Sequence, residues 1–155
     1  MRARGCFRVE RGRSAVARLL QGILRMPAAS PRADVRLVVT RDGDRELWSR
    51  WFDGKKLVTV ESALPGGLLA ERFGVLEVRT RLQVEAGDLV YTQVGAALRL
   101  GPVAIPLPAW LAPRVTGRES PDPEGSGTRV QVAVAAPFAG LLVRYEGAVE
   151  VEERR

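Results

Sequence analysis

One short segment places charged side chains among large apolar ones. In RELWSRWF, residues 45–52, alternate residues of an extended strand share a face. Trp48 and Phe52 therefore share a face with Glu46 and Arg50. The opposite face mixes the same residue types in another order: Arg45, Leu47, Ser49 and Trp51. Whichever face turns inward, a charge enters an apolar environment.

A second segment, LLAERF, repeats this arrangement, since Leu69 and Phe73 flank Glu71. An unpaired buried charge is strongly destabilising, so we expect each inward charge to have a partner. The sequence predicts an ion pair between Glu71 and an arginine: Arg50, Arg72 or Arg144. Three interpretations remain open: a structural ion pair, long side chains that reach solvent at a sheet edge, or a polar anchor in an apolar pocket.

The pocket interpretation leads to a set of candidate ligand-binding residues. Small-molecule sites combine apolar and aromatic walls with a few polar groups. We expect the candidate pocket to be lined by Trp48, Arg50, Trp51, Glu71, Phe73, Trp110, Arg144 and Tyr145. Such a pocket would hold an apolar or amphipathic small molecule. A non-catalytic interaction domain and an enzyme using Glu71 with a tyrosine are the alternative functions.

Composition excludes several chemistries. The 155 residues contain no histidine and one cysteine, Cys6. Neither a Ser-His-Asp triad nor a histidine metal site can be built, and an internal disulfide is excluded. We therefore predict no metal, no cofactor and no assigned catalytic residue. A single cysteine suits a reducing compartment, which leads us to expect a cytoplasmic location.

The net charge of +6 is concentrated near the N-terminus. Residues 1–26 contain seven arginines and one acid, Glu10, whereas the remainder is neutral. A solvated basic face is one interpretation, and contact with an anionic membrane surface is another. The absence of a recognised motif and of interleaved aromatics argues against nucleic acid.

A helix is predicted over residues 14–26. Ser14 suits the N-cap, and Pro27 marks the end. The apolar residues recur at helical spacing and form one stripe: Val16, Leu19, Leu20, Ile23 and Leu24. Arg18, Gln21 and Arg25 are expected on the opposite face. The stripe is expected to dock on a sheet or, alternatively, to lie on an anionic membrane.

From residue 34 onward the pattern has the period of a strand. Asp42 and Gly43, then Asp53 and Gly54, flank segment 45–52 as two hairpin turns, which predicts an antiparallel meander. We expect one domain over residues 1–155, with a basic tail at 1–5 and a sheet over 34–152. The predicted fold class is α+β, mainly β: a strongly curved antiparallel sheet or partly closed barrel of about eight or nine strands, with one N-terminal amphipathic helix.

The segment LGPVAIPLPAWLAPR, residues 100–114, is almost wholly apolar but contains four prolines. Proline is excluded from helix interiors and central strands. We expect this segment to plug one end of the sheet, to cover a pocket with Trp110 pointing inward, or to bind another protein.

Five blocks of sequence resemble successive motifs of one family: VERGRSAVARLLQGILRMP, WSRWFDGKK, LLAERFGVLEVRTRL, IPLPAWLAPR and FAGLLVRYEG. They are similar to the bacterial family called domain of unknown function 4166, over nearly the whole chain. The resemblance implies a cytosolic bacterial domain, which in some proteins is joined to a Rossmann-type oxidoreductase domain. It implies an oxidoreductase domain as a partner but no catalytic residues.

Overall fold

The computed structural model describes residues 1–152. It contains eleven strands and one helix: β1 (Arg2–Arg11), α1 (Ala15–Ile23), β2 (Ser30–Asp42), β3 (Arg45–Phe52), β4 (Lys55–Leu64), β5 (Leu68–Phe73), β6 (Leu76–Glu85), β7 (Asp88–Leu100), β8 (Val103–Pro106), β9 (Arg114–Pro121), β10 (Thr128–Ala136) and β11 (Gly140–Val151).

Ten of the strands form a closed antiparallel barrel. Each strand from β1 to β6 pairs with the next strand in sequence. Strand β7 then pairs with β9, β9 with β10, β10 with β11, and β11 with β1, which closes the ring. The eighth strand pairs only with β7 and lies outside the ring. The mainly β, antiparallel prediction is confirmed. The predicted strand count was too low, and the barrel is fully rather than partly closed.

The predicted meander is present in β2, β3 and β4. Val35 pairs with Phe52, and Phe52 pairs with Lys55 across the second Asp-Gly turn. Asp53 and Gly54 both have positive φ, 48° and 80°, as a tight hairpin turn requires. Residues 1–5, predicted as a tail, belong to β1 except for Met1, and the sheet begins at Arg2 rather than at residue 34.

Helix α1 is shorter than predicted and is rotated about its axis. The Ser14 side chain accepts a hydrogen bond from the Ala17 N–H, which confirms the N-cap. Gln21, expected outside, is buried, and its amide donates to the carbonyls of Gly12 and Leu142 at 2.9 Å. Ala17 is fully buried and allows the helix to approach the barrel closely. The two hydrogen bonds of Gln21 and the close packing of Ala17 therefore determine the helix orientation. Burial of the larger apolar side chains does not.

The apolar stripe of the helix is consequently divided. Leu20 and Leu24 pack against the core, whereas Val16, Leu19 and Ile23 are exposed. The predicted burial of the whole stripe is therefore wrong. Among the described residues, no helix is long and apolar enough to cross a membrane.

The proline-rich segment is an edge strand followed by an irregular connection. Leu98 of β7 pairs with Ile105 of β8. The prolines of this segment exclude a central strand, and β8 is accordingly an edge strand outside the ring. Gln93 of β7 holds the start of β9 by donating to the Pro113 carbonyl at 2.6 Å and accepting from the Val115 N–H at 2.7 Å.

Because the strands alternate in direction, the connections divide between two ends of the barrel. The helix end carries α1 and the turns at residues 53–54, 74–75, 101–102 and 137–139. The turn end carries the connections at residues 43–44, 65–67, 86–87 and 122–127. Beneath α1, the barrel interior is packed by Phe7, Phe52 and Tyr145, whose ring centroids lie 5.5 to 6.2 Å apart.

Candidate functional site

The barrel interior contains a cavity of about 280 Å³. Its wall is formed by inward-facing residues of the strands and by the residues that follow α1. Met26 and Pro27 line it near the helix end, and Met1 and Val151 line it near the turn end. Most of the wall is apolar, with examples from five strands: Val35, Leu57, Val78, Val130 and Val149. A compact group of charged and phenolic side chains interrupts this wall.

Arg50 is the centre of that polar group. Alternation along β3 turns its side chain inward with Trp48 and Phe52. Its guanidinium donates to the Thr59 hydroxyl at 2.6 Å and contacts Glu71 at 3.3 Å and Glu61 at 3.5 Å. It also lies 4.9 Å from the centroid of the Trp48 ring, within cation–π range. The prediction that Glu71 pairs with an arginine is confirmed, and the partner is Arg50.

Two carboxyl groups face each other across β4 and β5. Glu61 and Glu71 are direct cross-strand partners, an arrangement that is unfavourable when both are ionised. Burial, and then the charge of Glu71, raise the pKa of Glu61 to about 8, although Arg50 acts in the opposite direction. Glu61 is therefore largely protonated at neutral pH and can donate a proton or a hydrogen bond.

Burial opposes the charged form of Arg50, but the nearby Glu71, followed by Tyr145 and Glu61, outweighs it and raises the pKa of its guanidinium. Arg50 is thus a permanent cation inside the barrel. Its side chain is about 15% exposed, so the ion pairs are largely shielded from solvent.

A second polar pair lies across the interior. The hydroxyl of Tyr91 on β7 donates to Glu119 on β9 at 2.6 Å. Burial and this hydrogen bond raise the pKa of Tyr91, and burial raises the pKa of Tyr145 to about 12. Both phenols therefore stay protonated at neutral pH, and Tyr91 serves as a hydrogen-bond donor rather than as a base. Gly117, opposite Tyr91, leaves room for its ring, because a Cβ there would lie 3.1 Å from a ring carbon.

The structure brings five of the eight predicted site residues together around the cavity: Trp48, Arg50, Glu71, Phe73 and Tyr145. The other three lie outside it. Trp51 is on the outer face of β3, where Arg36 and Lys56 lie 5.5 and 5.0 Å from its ring centroid. The segment RELWSRWF is amphipathic on both faces, so its sequence could not identify the inward one.

Trp110 and Arg144 are also corrected. Trp110 is 67% exposed in the connection between β8 and β9, so it does not point into the cavity. Arg144 faces outward on β11, 3.8 Å from Glu10, and borders an open outer groove of about 980 Å³ between β7, β9, β10 and β11. Its neighbour Tyr145 faces inward, as strand alternation requires.

Sequence reasoning missed Glu61, Tyr91 and Glu119. All three occupy inward positions, in β4, β7 and β9. The phase of β9, in which Val115, Gly117 and Glu119 alternate with polar residues, would have indicated Glu119. Within residues 1–152, no group of three or more cysteine or carboxylate side chains is placed to hold a metal ion.

Comparison with known proteins gives one result. A family model described as Domain of unknown function (DUF4166) matches residues 1–149. No curated protein and no solved structure matches the chain. The match covers nearly the whole sequence and confirms the resemblance carried by the five sequence blocks. The chain, a closed ten-stranded barrel with a buried polar cluster, therefore belongs to the DUF4166 family.

Proposed function

We propose that the barrel is a binding module that encloses a small amphipathic molecule. The observation that supports this most is the cavity of about 280 Å³, in which a polar cluster lies within an apolar wall. Barrels of eight strands are either filled by side chains or hold one small ligand, and ten strands enclose a wider interior. The volume lies just below the usual range for small-molecule pockets, which begins at about 300 Å³.

The polar cluster supports a particular kind of head group. Three carboxyl groups, Glu61, Glu71 and Glu119, accompany one buried guanidinium, that of Arg50, whereas Arg118 is half exposed and pairs with Asp88. A ligand carboxylate or phosphate would add negative charge to this group. A protonated amine or a hydroxyl would instead donate hydrogen bonds to the carboxylates, and an amine would also offset their charge. We therefore propose an apolar chain with an amine or hydroxyl head.

The test begins with native mass spectrometry of the protein purified from its own host. We expect a retained small molecule that is released on unfolding. Val130→Phe fills the cavity from an inward position of β10 and should reduce retention at least ten-fold. Arg129→Phe places the same side chain on the exposed neighbouring position and is the matched control.

Defined probes test the head group. Calorimetric titration should show binding of decylamine or decanol and much weaker binding of decanoate. Equal loss of ligand in Val130→Phe and Arg129→Phe, or preference for decanoate, would contradict the proposal. Retention of an oxidoreductase rather than a small molecule would instead favour the alternative of an accessory domain for a Rossmann-type enzyme.

A further inference from the structure

The helix end of the barrel presents apolar side chains to solvent. Leu19 and Ile23 are 64% and 63% exposed, and Val16 is also exposed, so the outer stripe of α1 has no partner among the described residues. Phe138, in the turn between β10 and β11, is 85% exposed. The Ser14 hydroxyl donates to the carbonyl of the next residue, Ala139, at 2.8 Å, which places this turn beside the start of the helix.

Phe138 is held outward at some conformational cost. Its φ of 63° lies in the left-handed region, which bulky residues rarely adopt. A residue without a Cβ, or asparagine, would occupy this turn position more easily. The turn therefore presents a large apolar ring to solvent on a backbone that disfavours it, and strained positions of this kind tend to mark functional sites.

Basic residues surround this apolar surface. Arg13, Arg18 and Arg25 are exposed, and none forms an ion pair with any residue between 1 and 152. Lys55 and Lys56 are exposed at the neighbouring turn between β3 and β4. The acids near them include Glu10, which pairs with Arg8 and Arg144, and Asp34 and Asp53, of which Asp53 accepts from the Asp34 N–H at 2.8 Å. The surface is thus apolar at its centre and positive around it.

We propose that this face, defined by Val16, Leu19, Ile23 and Phe138 with Arg13, Arg18 and Arg25, docks onto an anionic lipid membrane. Helices that lie in a membrane interface combine an apolar face with flanking basic side chains. The apolar side chains would enter the acyl boundary while the arginines contact lipid phosphates. The other face of the helix remains bound to the barrel through Ala17 and Gln21, so docking requires no unfolding.

The docking face also lies over the cavity. Leu24, the half-buried C-cap residue directly after α1, lines the cavity together with Met26 and Pro27. A bilayer at this end would therefore contact the outer side of the element that covers the interior. This relation to the cavity rests on the proposed binding function, but the docking surface itself does not depend on it.

Vesicle co-sedimentation tests the proposal with the full chain. One set of vesicles is pure phosphatidylcholine, and the other contains equal parts of phosphatidylcholine and phosphatidylglycerol. We expect binding to the anionic vesicles that weakens as salt rises. Each of Arg18→Gln and Arg25→Gln should lower partitioning about five-fold, because a basic residue at an anionic surface contributes about 1 kcal/mol.

The apolar contribution is tested by the double variant Leu19→Ser with Ile23→Ser, and separately by Phe138→Ser. Each should reduce binding at least ten-fold while thermal melting stays unchanged, since all three side chains are exposed. Leu82→Ser and Val84→Ser alter exposed apolar residues in the half of β6 nearer the turn end and should leave binding unchanged.

Absence of binding at low salt, or equal effects of both sets of variants, would overturn the proposal. A concentration-dependent increase in molecular size that Leu19→Ser with Ile23→Ser abolishes, without vesicle binding, would show that the face binds protein instead. Loss of vesicle binding with ligand retention intact would separate the docking surface from the cavity proposal.

Discussion

The two ends of the barrel are built from the same antiparallel strands but present different chemistry. The helix end exposes apolar and unpaired basic side chains around α1. The turn end carries tight connections with acids such as Asp42, Asp44, Asp122 and Glu124. Its arginines are partly neutralised, as Arg118 shows by contacting Asp88 at 3.1 Å.

The interior follows the same division. Phe7, Phe52 and Tyr145 pack together toward the helix end, whereas Glu61 and Glu119 lie in the halves of their strands nearer the turn end. Strand alternation fixes which residues face inward at both ends. The chemical difference between the two ends therefore comes from the residues at inward positions and from the connections. Substitutions can consequently change one end without changing the other.

The largest effect is expected where the helix meets the barrel. Ala17 is fully buried, and Ala17→Asp would place an unpaired charge in that contact. We expect the free energy of unfolding to fall by about 3 to 5 kcal/mol. Leu19→Asp adds the same charge on the exposed face of the same helix and should change it by less than about 0.5 kcal/mol. Urea titration of the two variants measures both values, and similar losses would contradict the observed helix orientation.

An intermediate effect is expected from the carboxyl cluster. The pKa of Glu61 is about 8 in the folded protein, above its usual value of 4.5, so the folded state binds a proton that the unfolded chain releases. Its contribution to stability is therefore complete below pH 4.5 and falls as pH rises to about 8, by on the order of a few kcal/mol.

Glu61→Gln removes this titration while keeping a side chain of similar size. As pH rises through that range, the free energy of unfolding of the wild type should fall relative to that of Glu61→Gln. Glu46→Gln, in the same row of cross-strand partners but closer to solvent, is the control. A difference that does not vary with pH would show that Glu61 titrates normally.

The smallest effect on stability is expected at Trp110. Its side chain is 67% exposed, so Trp110→Ala should change the free energy of unfolding by less than about 0.5 kcal/mol. A loss of about 3 to 5 kcal/mol would instead support one of the three alternatives that the sequence left open, in which the proline-rich segment plugs the barrel. Thermal melting separates these outcomes, with Trp48→Ala as the inward comparison.

Much of the strand pattern could be predicted because its determinants are local. The two Asp-Gly turns fix the register of β2 to β4. A buried charge requires a partner, which led from Glu71 to three candidate arginines that include the observed one, Arg50. Barrel closure could not be predicted, because it depends on pairing between β1 and β11, for which the sequence carries no local indication. The helix orientation was missed because two hydrogen bonds from Gln21 outweigh the apolar pattern.

The pairing of β1 with β11 also bears on the order of folding. Residues Ala3 to Arg11 pair with Val151 to Val143, so this seam joins segments separated by nearly the whole described chain. The other pairings of the ring join strands much closer in sequence, and such local contacts carry the smaller loop-closure entropy. We expect the pairings on either side of the seam, β1 with β2 and β10 with β11, to form before β1 pairs with β11. Strands β1 and β11 both contribute to the cavity wall, and so the enclosed interior comes into existence only when the first and last strands meet.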